Sequence, residues 1–140
     1  MFAVAKEEGI DLILFAGFRN EQTQRFFYER AGNGDNMSVA PPRSSEHETG
    51  YAADILAVGS MTRDSAFGKT KAGTWLQKNA PQYGFILRYL ENKTNITGYF
   101  YEPWHFRYLG RELAYKVTET GLCYEEFLQL YPEQKVPPNN

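Results

Sequence analysis

At 140 residues the chain is the size of one domain and long enough to bury a core. Its 42% hydrophobic and 16% aromatic content excludes disorder, which needs few aromatics and a strong net charge. A net charge of −2 offers no basic face to nucleic acid, and the single Cys123 excludes both an internal disulfide and a multi-thiolate metal site. No run of about 18 apolar residues exists, so no membrane-spanning helix is expected.

Residues 1–8 read as the remnant of a longer amphipathic helix closed by Gly9, not as a signal peptide, since a basic start and a long apolar middle are missing. Asp11 to Phe18 is short and strongly apolar, which suits a buried strand. Asn20 is placed to cap a helix over 21–31, with Phe26 and Phe27 inward and Gly32 at its end. Residues 32–46, rich in Gly, Asn, Asp, Ser and Pro, must be a loop. A strand is predicted over Tyr51–Val58, a loop over 59–64, and a helix over 65–80 around Phe67, Trp75 and Leu76. Tyr83-Gly84 turns into a strand at 85–89, and the polar Glu91–Asn95 predicts a hairpin-like turn returning as a strand over 96–101. Helices over 111–120 and 124–130 precede a frayed tail at 132–140. Helices flanking hairpin-connected strands make an α+β single domain, taken as 1–140.

The chain has only two histidines, and each sits beside carboxylates: Ser45-Glu46-His47-Glu48 leading to Asp54, and Glu102-Pro103-Trp104-His105. Neutral imidazole and carboxylate are the usual non-thiolate zinc ligands, and three ligands leave a fourth position for water. His47 and Asp54 are seven positions apart, an odd separation that a straight strand would place on opposite faces. Thr49-Gly50 permits the bend that reunites them; without it, His47 is an exposed loop residue and Asp54 an edge charge. Pro103 suits either the second position of a type I turn or the first of a helix, and both bring Glu102 and His105 to one side. The plainer alternative pairs Glu102 with Arg107 at the surface, with Trp104 in the core. The residues thus point to one zinc ion held by His47, Asp54 and His105, with Glu102 as general base. Two neutral imidazoles and one carboxylate leave the site at +1, enough to lower the pKa of a bound water towards about 7. Glu46 and Glu48 are expected to be solvated loop charges.

Ser45-x-His47-x-x-Gly50-x-Ala52-x-Asp54 followed by Glu102-Pro-Trp-His105 resembles the signature of the VanY-type zinc D-alanyl-D-alanine carboxypeptidases. These are peptidoglycan metallopeptidases, a group that also includes the D-Ala-D-Ala dipeptidases and L,D-carboxypeptidases. The resemblance runs from Gly17-Phe18-Arg19 through Tyr83-Gly84-Phe85 to Trp104-His105-Phe106-Arg107. It implies a small antiparallel sheet carrying the zinc, of the Hedgehog/DD-peptidase kind, and removal of terminal D-alanine from cell-wall stem peptides at the cell envelope. It also implies that Arg19 steadies the scissile carbonyl or the substrate carboxylate, that Gln24 lies near the substrate, and that Ser45 binds the terminal carboxylate. Tyr89 and Tyr99 fall where the family lines its groove, although ordinary sheet packing is the competing account of both. The small polar pair usual around the family arginine reads Ala16 and Asn20 here. Two alternatives stay open: a cell-wall endopeptidase of the same fold, and a non-catalytic zinc-stabilised binding module.

Overall fold

Three apolar runs and the mixed segment His105–Tyr108 become the four strands of one antiparallel sheet: β1 (Leu12–Ala16), β2 (Ala52–Ala57), β3 (Phe85–Leu87) and β4 (His105–Tyr108). The first is not the buried strand expected, because it lies at the sheet edge with Ile13, Leu14 and Phe15 exposed. Their order is β1-β2-β4-β3, so β2 and β4 are central. The computed structural model describes residues 1–33, 37–60 and 63–134. Helices α1 (Phe2–Glu7), α2 (Glu21–Arg30), α3 (Lys71–Asn79), α4 (Thr94–Thr97), α5 (Arg111–Thr120) and α6 (Tyr124–Leu130) flank the sheet.

The main core joins the sheet to α1 and α3 through Ala5, Ile55, Leu56, Trp75, Leu76, Trp104 and Phe106. Trp104 is buried there, as expected, and the Trp75 indole N–H donates to the Glu8 carboxylate at 2.8 Å. A second cluster, Ile86, Ala114, Val117 and Phe127, fastens α5 and α6 to β3. Among the described residues no helix is long and apolar enough to cross a membrane.

Local chemistry sets the boundaries. The Asn20 side chain accepts the Thr23 amide at 2.8 Å and starts α2 where expected. The helix expected over 65–80 is instead divided. Asp64 caps a 3-10 turn over Ser65–Lys69, and Thr70 stays extended with ψ 163° while its hydroxyl accepts the Gly73 amide to start α3. Gly73 lies so close to this turn that a Cβ would sit 2.1 Å from the Phe67 carbonyl oxygen.

Three expectations are corrected. Residues 96–101 are not a strand: α4 makes one turn over Thr94–Thr97 and ends at Gly98, whose φ of +76° suits a left-handed cap. The strand pairing with β3 is β4, so the two are joined by a long excursion and not by a hairpin. Phe26 and Phe27 do not face inward, being 53% and 38% exposed, because the buried residue of α2 is Gln24. The tail expected from 132 is described only over Pro132–Gln134, a single 3-10 turn; the remainder of that expectation lies outside the described residues.

Candidate metal centre and its pocket

Three local devices bring the candidate ligands together. Glu46–Thr49 forms a 3-10 turn that ends at Gly50 with φ +75°, and this bend turns His47 towards β2. Asp54 projects from the centre of the sheet, and His105 is its register partner on β4. The His105 amide bonds the Glu102 carbonyl at 3.0 Å, so Glu102-Pro103-Trp104-His105 is a closed turn with Pro at its second position. Behind this corner the turn 65–69 presents Gly68. A Cβ there would lie 2.1 Å from the Tyr101 hydroxyl and 3.0 Å from Pro103.

His47, Asp54 and His105 are all buried, and their ligating atoms lie within 4.8 Å of one another. Asp54 Oδ1 is 3.3 Å from His47 Nε2 and 3.3 Å from His105 Nδ1. Despite this closeness Oδ1 has no hydrogen bond of acceptable geometry among the described residues. A buried carboxylate oxygen left without a donor is costly, unless a cation takes that place. Bonds of 2.0–2.1 Å at a tetrahedral ion imply ligand–ligand edges of roughly 3.3 Å, so the spacing fits zinc.

The outer bonds of the imidazoles fix their tautomers. His47 Nδ1 lies 2.8 Å from the Gly17 carbonyl, which can only accept, so this nitrogen carries the proton and Nε2 is left with its lone pair. His105 Nε2 faces Glu46 Oε2 at 3.2 Å and donates to it, which leaves Nδ1 facing Asp54. Orienting partners of this kind are typical of metal-ligating histidines.

The electrostatics follow from burial and pairing. Burial disfavours a charged His105, but the carboxylates of Asp54 and Glu46 outweigh it and lift the imidazole to about 9 in the ion-free chain. Burial pushes the Asp54 carboxyl up, yet the two imidazoles hold it well below the usual carboxylate range. Glu102 is raised to about 7, by burial above all, against the pull of His105. Its Oε2 is 3.8 Å from His105 Nδ1.

All the residues singled out from sequence line one pocket: Arg19, Gln24, Ser45, Tyr89 and Tyr99 together with His47, Asp54, Glu102 and His105. Arg19 Nη2 donates to Asp54 Oδ2 at 3.0 Å, and its guanidinium stacks over Phe27. Gln24 bridges from the Arg19 side to the Ala40 carbonyl, which accepts from Nε2 at 2.7 Å. The Tyr89 ring stands 4.7 Å from Tyr99 and 4.9 Å from His105.

Four participants escaped the sequence reading. Glu46 and Glu48 are not solvated charges. Glu46 is largely buried between His105 and Arg88, and Glu48 accepts the Arg43 and Ser45 amides. A carboxylate adjacent to a candidate ligand histidine was the available signal for Glu46. Arg63 also donates to Asp54 Oδ2, at 3.3 Å, and Arg88 links Glu46 to α6; neither had a motif to mark it. Arg107 does not pair with Glu102, lying instead 3.7 Å from Glu46.

A buried His–Asp–His cluster on a small antiparallel sheet defines a chain with a site that could hold a metal ion. The VanY family model, described as D-alanyl-D-alanine carboxypeptidase, matches residues 1–111. YodJ of Bacillus subtilis is 39% identical over 92% of this chain and 50% of its own length. A D-alanyl-D-alanine carboxypeptidase of Enterococcus faecalis is 35% identical over 91% of this chain and 51% of its own. Among solved structures, the LdcB LD-carboxypeptidase superposes with a TM-score of 0.84 at 39% identity, covering 92% of this chain and 63% of that one. A vancomycin-resistance D,D-pentapeptidase VanY mutant in complex with Zn(II) gives 0.75 at 35% identity, covering 91% and 76%. The chain therefore belongs to the VanY family of peptidoglycan metallopeptidases. It spans about half the length of the curated relatives it matches.

Proposed function

We propose that this chain is a zinc-dependent carboxypeptidase, one ion per chain, that removes the C-terminal D-alanine from peptidoglycan stem peptides. The observation that carries the reading is Asp54 Oδ1, buried without a well-formed hydrogen bond among the described residues and faced at 3.3 Å by the inward nitrogen of each histidine. Zinc held by His47, Asp54 and His105 would supply Lewis acidity, polarising a peptide carbonyl and lowering the pKa of a water towards about 7. Glu102 takes the proton of the attacking water and returns it to the leaving amine.

Arg19 steadies the developing oxyanion or the terminal carboxylate, for which its fixed donor fork is suited. Ser45 binds the terminal carboxylate, while Gln24, Tyr89 and Tyr99 line the groove. Residues 1–140 act as one catalytic domain on the outer side of the cell envelope, where the relatives' D-Ala-D-Ala and L,D-peptide substrates would be found.

The test is incubation with tetrapeptide and pentapeptide stem fragments, reading released alanine by mass spectrometry. Release should stop with chelator and return with Zn²⁺. No release from either fragment by zinc-loaded protein overturns the reading. A C-terminally amidated peptide should resist; its cleavage would replace the carboxypeptidase with an endopeptidase.

A further inference from the structure

We propose that Glu125, on α6, is a positioning residue for His105, acting through Arg88 and Glu46. The inference rests on the reading of His47, Asp54 and His105 as metal ligands. Helix α6 lies beyond residues 1–111, the part matched by the family model.

A continuous chain of bonds connects the two residues. Both terminal nitrogens of Arg88 grip the Glu125 carboxylate, Nη1 at 3.0 Å and Nη2 at 2.5 Å. Arg88 Nε donates to Glu46 Oε1 at 2.8 Å, and Glu46 Oε2 accepts a hydrogen bond from His105 Nε2 at 3.2 Å. Each side chain is committed at both ends. The guanidinium is planar, so a bidentate grip at one edge fixes the direction in which Nε points. That direction sets one oxygen of Glu46, and the carboxylate plane then sets the other, which faces the imidazole. Arg88 is buried, so it cannot exchange Glu125 for water without cost. Without Glu125 its fork has no acceptor among the described residues, and the looser Arg107, 3.7 Å from Glu46 Oε1, is left to orient Glu46 from behind.

Helix α6 does not depend on this contact for its place. Phe127 is buried in the second core cluster, and Lys93 pairs with Glu126 at 2.8 Å. Glu126 also accepts the Cys123 amide at 2.9 Å. Loss of the Glu125 carboxylate should therefore leave α6 docked and act on the centre through Arg88.

The experiment measures Zn²⁺ affinity by competition with a chromophoric chelator, on folded protein checked by circular dichroism. Outer partners of metal ligands are worth 10–100-fold in affinity. Glu46→Gln should weaken zinc within that range and Glu125→Gln by about tenfold. Because both lie on one chain, the double variant should be no weaker than Glu46→Gln by more than about twofold. Glu125→Asp should recover part of the loss, and Glu126→Gln, which breaks only the neighbouring pair, should match the wild type.

Wild-type affinity in Glu125→Gln, or losses that multiply in the double variant, overturns the proposal. If Glu125→Gln does not fold, Glu125→Asp is read in its place: an affinity between those of the wild type and Glu46→Gln is expected, and wild-type affinity overturns the proposal. A wild-type chain that binds no zinc overturns the metal reading itself, and so is distinguishable from failure of this step alone.

Discussion

Asp54 and His105 stand opposite each other as a register pair of β2 and β4, with Asp54 Oδ1 3.3 Å from His105 Nδ1. Two of the three candidate ligands are therefore delivered by strand pairing alone. A slip of one residue would send one of them to the other face of the sheet, so the register that buries Phe106 and Leu56 also assembles the centre. Only His47 needs a separate device, the 3-10 turn closed by Gly50.

Glu102 lies beside the cluster and is not one of its three members. Glu102→Gln should bind Zn²⁺ as the wild type does and lose about 10²–10⁴-fold in alanine release, the range of a lost general base. Isothermal titration and a turnover assay on one preparation check both halves. Retained full activity would remove Glu102 from the mechanism.

Metal removal should act on stability as well as on activity. A ligand at a thousandfold excess over its Kd stabilises the folded state by about 4 kcal/mol. Zn²⁺ should therefore raise the thermal midpoint of chelator-treated protein, and His47→Ala should abolish that rise. Scanning calorimetry with and without Zn²⁺ measures both.

The ion-free protein should lose stability as pH rises. The His105 imidazole titrates at about 9 when folded against an ordinary 6.5, so its contribution is complete below 6.5 and lost by about 9. Glu102, raised from 4.5 to about 7, acts in the same direction over its own window. The His105 window alone corresponds to a loss of about 3 kcal/mol. Zn²⁺ displaces the proton from the same nitrogen, so the loaded protein should lack this decline. Urea midpoints at pH 6 and pH 9, with chelator and with Zn²⁺, decide the matter; equal midpoints under chelator would contradict it.

Gly73→Ala should destabilise by about 3 kcal/mol, the upper part of the usual range for overpacking. The added methyl meets a backbone carbonyl oxygen at 2.1 Å, and backbone cannot rotate away as a side-chain tip can. Ala is otherwise the better helix former, so an increase in the urea midpoint would refute the packing argument.

Much of the centre was legible because its chemistry is local. Two histidines, each near a carboxylate, leave few ways to build a three-ligand site, and Gly50 and Pro103 announce the bends that assemble it. Features that depend on distant partners were not legible. Residues 96–101 have strand-like composition, but Gly98 is spent capping α4 and the place beside β3 goes to β4. Phe26 and Phe27 satisfy a helical pattern, yet α2 turns Gln24 inward. Glu46 reads as a loop charge until Arg88 and His105, about 40 and 60 positions later, arrive beside it.

Gly68 gives the proposed base a backstop made of bare backbone. With no side chain of its own, it lets Tyr101 and Pro103, the immediate neighbours of Glu102, settle against the 65–69 turn. Bulk introduced at position 68 would be transmitted to the carboxylate although it touches no reacting atom. A mutational survey restricted to the pocket wall would pass over this position, and an inactive variant there would look like an unexplained loss at a distance.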